Sequence, residues 1–315
     1  MPLSNDGKVN ETSNGLVNKL REMAGDVPHS FRPAHAKGHL LSGIFFPTAT
    51  ASGLSSAPHF NEPSTPLTVR FSSSTGIPQI PDNDANANPR GLAIRFHLPS
   101  PDGKRHHTDI ITHSTPYFPT RTGGDFLEFL QAATGDNPGE AVPEFLERHP
   151  ETSRFLNEVR LSPESFATER FFGVNAYRFI NKEGQVTTLR YRVLPAAGQK
   201  YIDSEGLKGK SYLFDELPLR LESGEVKFKL VGQVAQEGDV TDNATVLWPE
   251  ERKIVELGII KVQKIMSDSE SLQQQKTIIF DPIPRVEGVE PSDDPLLDVR
   301  ASTYLISGRQ RRAAE

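Results

Sequence analysis

The 315 residues contain no cysteine. Disulfides, thiol nucleophiles and thiolate-held metals are excluded together. Oxidisable side chains are scarce in general, with three methionines and one tryptophan. Such a composition suits a chain that meets strong oxidants. No apolar run approaches the roughly eighteen residues that a membrane-crossing helix needs. The start, Met1-Pro-Leu-Ser-Asn-Asp-Gly-Lys, lacks a basic segment followed by an apolar one, so no secretory signal is expected and a cytoplasmic location is. There is no excess of positive charge either. The formal net charge of -6 argues against a nucleic-acid partner.

What is present begins with an Asn- and Gly-rich N-terminal segment, where Leu16, Val17, Leu20 and Met23 predict a short helix within Gly15–Gly25. Residues 28–64 are rich in Pro, Gly, Ser and Ala with little periodicity, and predict extended segments and turns held by another surface. Within them, Arg32-Pro-Ala-His35-Ala-Lys-Gly38 places an arginine three residues before a histidine on a small-residue backbone. Such a backbone can approach a bulky partner closely. Strand patterns follow at 67–73, 92–98 and 107–112, with a turn at Pro101-Asp-Gly103. Leu67, Val69 and Phe71 alternate with Arg70 and Ser72, so the arginine faces away from the apolar side.

Helices are predicted at 125–133, 143–149, 211–217 and 269–275, with Pro218 ending the third. Strands are predicted at 171–180, 187–194, 226–234 and 254–262. The first two form a hairpin across Asn181-Lys-Glu-Gly184. The last segment, from Pro295, reads as helical and then basic. Arg300 and Tyr304, four apart, share a helix face. The fold class is α+β, mainly one antiparallel β-barrel or sandwich with inserted and flanking helices. The division expected is an N-terminal arm with a short helix over 1–26 and a single barrel domain over 27–315. The His106-His107-Thr-Asp109 run resembles a ligand set, but strand alternation splits the histidines between faces.

Seven stretches, in order, are similar to the haem catalase superfamily and most of all to its small catalase-related peroxidases. They are Arg32-Pro-Ala-His35-Ala-Lys-Gly38, Val69-Arg70-Phe71-Ser72, Asn88-Pro89-Arg90-Gly91, Thr115-Pro116, Val246-Leu247-Trp248-Pro249, Phe280-Asp281-Pro282 and Arg300-Ala-Ser-Thr-Tyr304. The resemblance implies a haem barrel with a shortened wrapping segment and a C-terminal helix carrying the haem ligand. It implies haem b as cofactor and Tyr304 as proximal iron ligand, a phenolate supported by Arg300. His35 becomes the distal acid–base residue, oriented by Ser72. Arg32, Arg70 and Arg311 become the holders of the haem propionates. Without the resemblance, Tyr304 reads as a packed ring, Ser72 as a strand serine and Arg311 as part of a solvated tail.

The distal side departs from the family pattern. The asparagine expected beside the Thr-Pro step is assigned to Ser114, preceded by His113; Ala34 replaces a larger apolar residue, and Tyr117-Phe118-Pro119 replaces a double phenylalanine. The expectation is a haem peroxidase that reduces hydrogen peroxide or organic hydroperoxides with an organic electron donor through a ferryl intermediate, as a homodimer. Weak catalase activity would remain. Two alternatives share the barrel: a fatty-acid hydroperoxide isomerase of the allene-oxide-synthase type, and a non-catalytic haem carrier. A third is a barrel holding an apolar ligand without haem.

Overall fold

The computed structural model describes residues 2–99, 103, 106–202 and 209–314; the turn expected from Pro101 lies largely outside them. Eight strands, numbered in chain order, close a barrel. They are β1 Gly38–Pro47, β2 Thr65–Ser72, β3 Gly91–Leu98, β4 His106–His113, β5 Phe171–Phe172, β6 Val186–Pro195, β7 Val226–Val234 and β8 Ile254–Ile265. Each pairs antiparallel with the next, and β8 returns to β1. Closure leaves no long unpaired edge.

Alternation divides the strands as the sequence implies. Leu67, Val69, Phe71, Leu92, Ile94 and Phe96 belong to one buried cluster inside the barrel. Aromatic rings fill that interior, Phe45 meeting Phe96 edge-on at 5.2 Å and Phe71 stacking on Phe166 at 4.9 Å. The inside is packed protein. The outer face of β1–β4 is also covered, and a second apolar cluster there joins Leu40, Ala93 and Ile111 to Ile278 and Phe280. A helix over Asp268–Thr277 and the C-terminal helix Leu296–Ala313 form this outer layer. Asp294 accepts from the Leu296 N–H at 3.0 Å at the start of that last helix. Ten of its eighteen residues are buried, so it is wedged between layers and is not a surface helix.

Several elements differ from expectation. The N-terminal helix runs Gly7–Ala24 and docks on the C-terminal helix, with Ser13 Oγ donating to Val299 O at 3.3 Å. Residues 28–64 contain the ten-residue strand β1, whose pattern is obscured because both of its faces are covered. The stretch 171–180 breaks into Phe171–Phe172 and Tyr177–Ile180. Pro218 and Pro143 sit inside the helices Tyr212–Ser223 and Pro138–Arg148. Burial of Tyr212, Leu213, Phe214 and Leu217 outweighs the hydrogen bond lost at Pro218.

His59 lies in the core against Phe60 and Phe96, ring centroids 4.0 and 4.7 Å away, and its Nδ1 has no hydrogen-bond partner among the described residues. Burial pushes its pKa down to about 3. The unfolded chain takes up this proton near pH 6.5, so stability present above that pH is lost as pH falls from 6.5 toward 3. Between pH 7 and pH 5 the expected contribution is a loss of about 2 kcal/mol. Urea titrations of wild type and His59→Phe should differ in pH dependence by that amount. Identical pH slopes would refute the assignment.

Candidate active site

The outer face of the barrel carries a row of cross-strand partners: Gly38 opposite Ser72, Ser72 opposite Gly91, and Gly91 opposite His113. Residues directly opposite in antiparallel strands point to the same side. His35, on the loop entering β1, lies over this row with Nδ1 3.1 Å from Ser72 Oγ. A Cβ at Gly91 would come within 2.5 Å of Ser72 Oγ and 2.9 Å of His35 Nδ1, so only glycine leaves room for the pair. His35 has φ +53°, a left-handed backbone uncommon outside glycine. It is held there by Arg70, whose Nη2 donates to His35 O at 2.8 Å, and by the Ala36 N–H, which donates to Thr75 O at 2.9 Å. Burial first, then the charges of Arg70, Arg32 and Arg300, push the His35 pKa down to about 4. The ring is a neutral base at ordinary pH.

The C-terminal helix supplies the opposite wall. Arg300, Tyr304, Ser307 and Arg311 follow one another at spacings of four, three and four, and form a single stripe. Arg300 Nε donates to the Tyr304 hydroxyl at 3.3 Å, while its Nη1 donates to Asn175, which in turn donates to Asp294 at 2.8 Å. His35, His113 and Arg300 are each surrounded by protein yet keep partly open surface. Arg300 lowers the pKa of both histidines, so the phenol–guanidinium pair lies within electrostatic reach of the two imidazoles.

At one end, three arginines distant in sequence meet. Arg70 Nε donates to Gln275 Oε1 at 2.8 Å, Arg32 reaches Ile278 O at 3.2 Å, and Arg311 reaches Gln275 O at 3.0 Å and Ile278 O at 2.8 Å. A Cβ at Gly38 would lie 2.6 Å from Arg70 Nη2. None of the three has a carboxylate partner among the described residues. Burial lowers all their pKa values, Arg70 to about 9 and Arg311 to about 10, and like charges lower Arg32 and Arg70 further. A guanidinium keeps its proton in proteins, so the cluster calls for an anion.

The sequence reading and the structure part at the Thr-Pro step. Ser114 is tied to the backbone of Arg90 instead. Its hydroxyl accepts from the Arg90 N–H at 2.9 Å and its own N–H donates to Arg90 O at 2.8 Å, clasping two loops. His113, one residue earlier and so on the other face, lies in the row of Gly91 and Ser72 and feels the charges of Arg300 and His35. Thr115 donates to its Nδ1 from both the backbone N–H, at 3.3 Å, and the hydroxyl, at 2.7 Å. An N–H can only donate, so Nδ1 is the acceptor and the neutral ring carries its proton on Nε2. Burial, with Arg300 and His35, pushes the His113 pKa down to about 3. Asn175 and Gln275 were also missed. No spacing signal marks them, because each acts through an arginine far away in the chain. His106 and His107 begin β4, and Asp109 is held bidentately by Arg95 at 2.7 and 2.8 Å, so that run is no ligand set. Asp125, Glu128 and His149 cluster elsewhere, but Thr122, Arg148 and Glu151 already engage them.

The sequence profile of the catalase family matches residues 16–315. The chain belongs to the catalase family. It is 31% identical over 313 residues to a catalase-related peroxidase of Mycolicibacterium paratuberculosis, covering 96% of each chain. A catalase-related peroxidase of Synechococcus elongatus is 30% identical over 290 residues, 89% of this chain and 83% of that one. Among solved structures, catalase A from Saccharomyces cerevisiae superposes with a TM-score of 0.78 at 19% identity, and a fungal catalase with 0.76 at 21%. These overlays cover 94% of this chain but 64% and 62% of those catalases, so the chain spans under two thirds of their length. The shared fold is the catalase barrel. The donor set fits haem: guanidiniums with no carboxylate partner among the described residues for two carboxylates, a phenol beside a guanidinium for ferric iron, and a neutral imidazole on the facing wall.

Proposed function

We propose that the protein is a haem-dependent peroxidase that reduces hydrogen peroxide or organic hydroperoxides with electrons from an organic donor. The observation that carries this reading is the pair of facing walls, His35 with Ser72 on one and Tyr304 with Arg300 on the other. Tyr304 would ligate the iron, and Arg70 and Arg311 would pair with the two propionates, with Arg32 beside them carrying the charge left over. When bound, haem supplies the two electrons that cleave the O–O bond and is later refilled by the donor.

His35, neutral at ordinary pH, takes the proton from the inner oxygen of the hydroperoxide and returns it to the outer one. One hydroperoxide with two electrons and two protons gives one alcohol and one water. Ser72 holds the ring in line for this transfer. His113 offers its Nε2–H to the outer oxygen as charge develops there. The names of the two relatives above support peroxidase over catalase work.

The test compares oxygen release from hydrogen peroxide alone with oxidation of an added donor. Donor oxidation should outrun oxygen release several-fold. Dominant oxygen release without donor would overturn the reading, as would rearrangement of a lipid hydroperoxide that consumes no donor.

A further inference from the structure

Beside the arginine cluster, a half-open cleft of about 1030 Å³ runs between the loop at Ser30–Arg32, the helix Tyr212–Ser223 and the helix Asp268–Thr277. Its size suits a small organic molecule. Phe31, Phe214, Met266 and Leu272 give it apolar walls, and Leu272 is 55% exposed although large and apolar. Its inner end is formed by Arg32, Gly38 and Gln275, members of the arginine cluster already described. Arg32 and Gln275 therefore form a wall common to the cleft and the arginine cluster.

The charge balance at that wall is uneven. Three guanidiniums meet there, and a haem brings two carboxylates, which leaves one positive charge. Arg32 is the member that also borders the cleft, and its hydrogen bonds go to neutral oxygens, Gln275 Oε1 at 3.4 Å and Ile278 O at 3.2 Å. Other cations on the cleft are engaged. Lys37 Nζ sits 2.7 Å from Asp82, and Lys276 donates to Ala314 O at 2.9 Å. The acidic groups, Asp215 and Asp268, lie on the exposed part of the lining. An anion entering the cleft is drawn inward, away from them and toward Arg32.

We propose that this cleft binds the electron donor, and that the donor is a small aromatic carboxylate of the phenolic-acid class. Its carboxylate pairs with Arg32 and its ring lies against Phe31, Phe214, Met266 and Leu272. This rests on the peroxidase reading and adds the donor's chemistry to it. The donor need not enter the distal cavity, because its electron passes through the shared wall to the cofactor's carboxylate edge. Two phenols each give up one electron and one proton and leave as phenoxyl radicals; the two electrons and two protons convert ROOH to ROH and water.

The experiment is calorimetric titration of the resting haem-loaded protein with p-coumarate and with the neutral phenol guaiacol, beside steady-state kinetics with both. Leu272→Glu places a negative charge on an exposed wall, where folding is insensitive to it. It should weaken p-coumarate binding and raise its KM at least tenfold, with kcat changed less than twofold, and affect guaiacol several-fold less. A second variant, Met266→Trp, fills the cleft and should weaken both ligands. Unchanged Kd and KM for p-coumarate in both variants, with donor oxidation intact, would overturn the cleft assignment alone. Absence of oxidation of any donor by wild type would instead sink the peroxidase reading, while the binding titration still judges the cleft.

Discussion

Tyr304→Phe is expected to abolish the ferric phenolate spectrum of the haem-loaded protein and to release haem during gel filtration. Phenylalanine keeps the ring and its packing but has no oxygen to offer iron. Losing an outer partner of a metal ligand costs about 10–100-fold in affinity or activity. Losing the ligand itself should cost more than about 100-fold on that scale. Arg300→Ala should fall inside the outer-partner range, because it removes the donor 3.3 Å from the Tyr304 hydroxyl while leaving the phenol in place. Absorption spectra of both variants, before and after one equivalent of hydroperoxide, make the test. A Tyr304→Phe protein indistinguishable from wild type would overturn the proximal assignment and the cofactor site built on residues 300–311.

His35→Gln is expected to slow hydroperoxide cleavage by about 10²–10⁴-fold while haem stays bound. Glutamine can hydrogen-bond but cannot carry a proton between the two oxygens. The wild type should also show an acid limb near pH 4 in the rate of this step, since the ring is neutral above that pH and cannot accept a proton below it. Burial is the leading cause of this low value, so an anion paired with the arginines shifts the limb only modestly. His113→Asn should keep most of the rate, because an asparagine carbonyl can take Thr115's hydrogen bonds and its amide can donate. His113→Leu should lose roughly tenfold, the range for one hydrogen bond to a developing charge. Stopped-flow rates with hydrogen peroxide between pH 3.5 and 8 check all three. A limb near pH 6.5, or a His35→Gln rate within threefold of wild type, would refute the role given to His35.

The one-residue displacement from Ser114 to His113 shows where local reading stops. The Thr-Pro step was recognisable, but strand period two means that a shift of one residue turns the side chain to the opposite face. Which residue faced His35 depended on the register of β4 against β3, where His113 lies opposite Gly91. Sequence alone carried no measure of that register.

Other features were legible because they are local. The alternation of Leu67, Val69 and Phe71 with Arg70 and Ser72 placed the polar pair on one side of β2. The spacing of Arg300 and Tyr304 placed guanidinium and phenol together on one helix face. Most barrel strands followed from period-two patterns with turns between them, but β1 did not and the stretch 171–180 broke in two. What only the tertiary structure decided was the convergence of Arg32, Arg70 and Arg311 on Gln275 and Ile278, the cleft behind them, and the meeting of His35 with Ser72 on the outer face of the barrel. The physical reason is range. Side-chain periodicity reports which face of an element is apolar, whereas the meeting of distant polar groups depends on how layers pack, and buried charge is tolerated where that packing supplies partners.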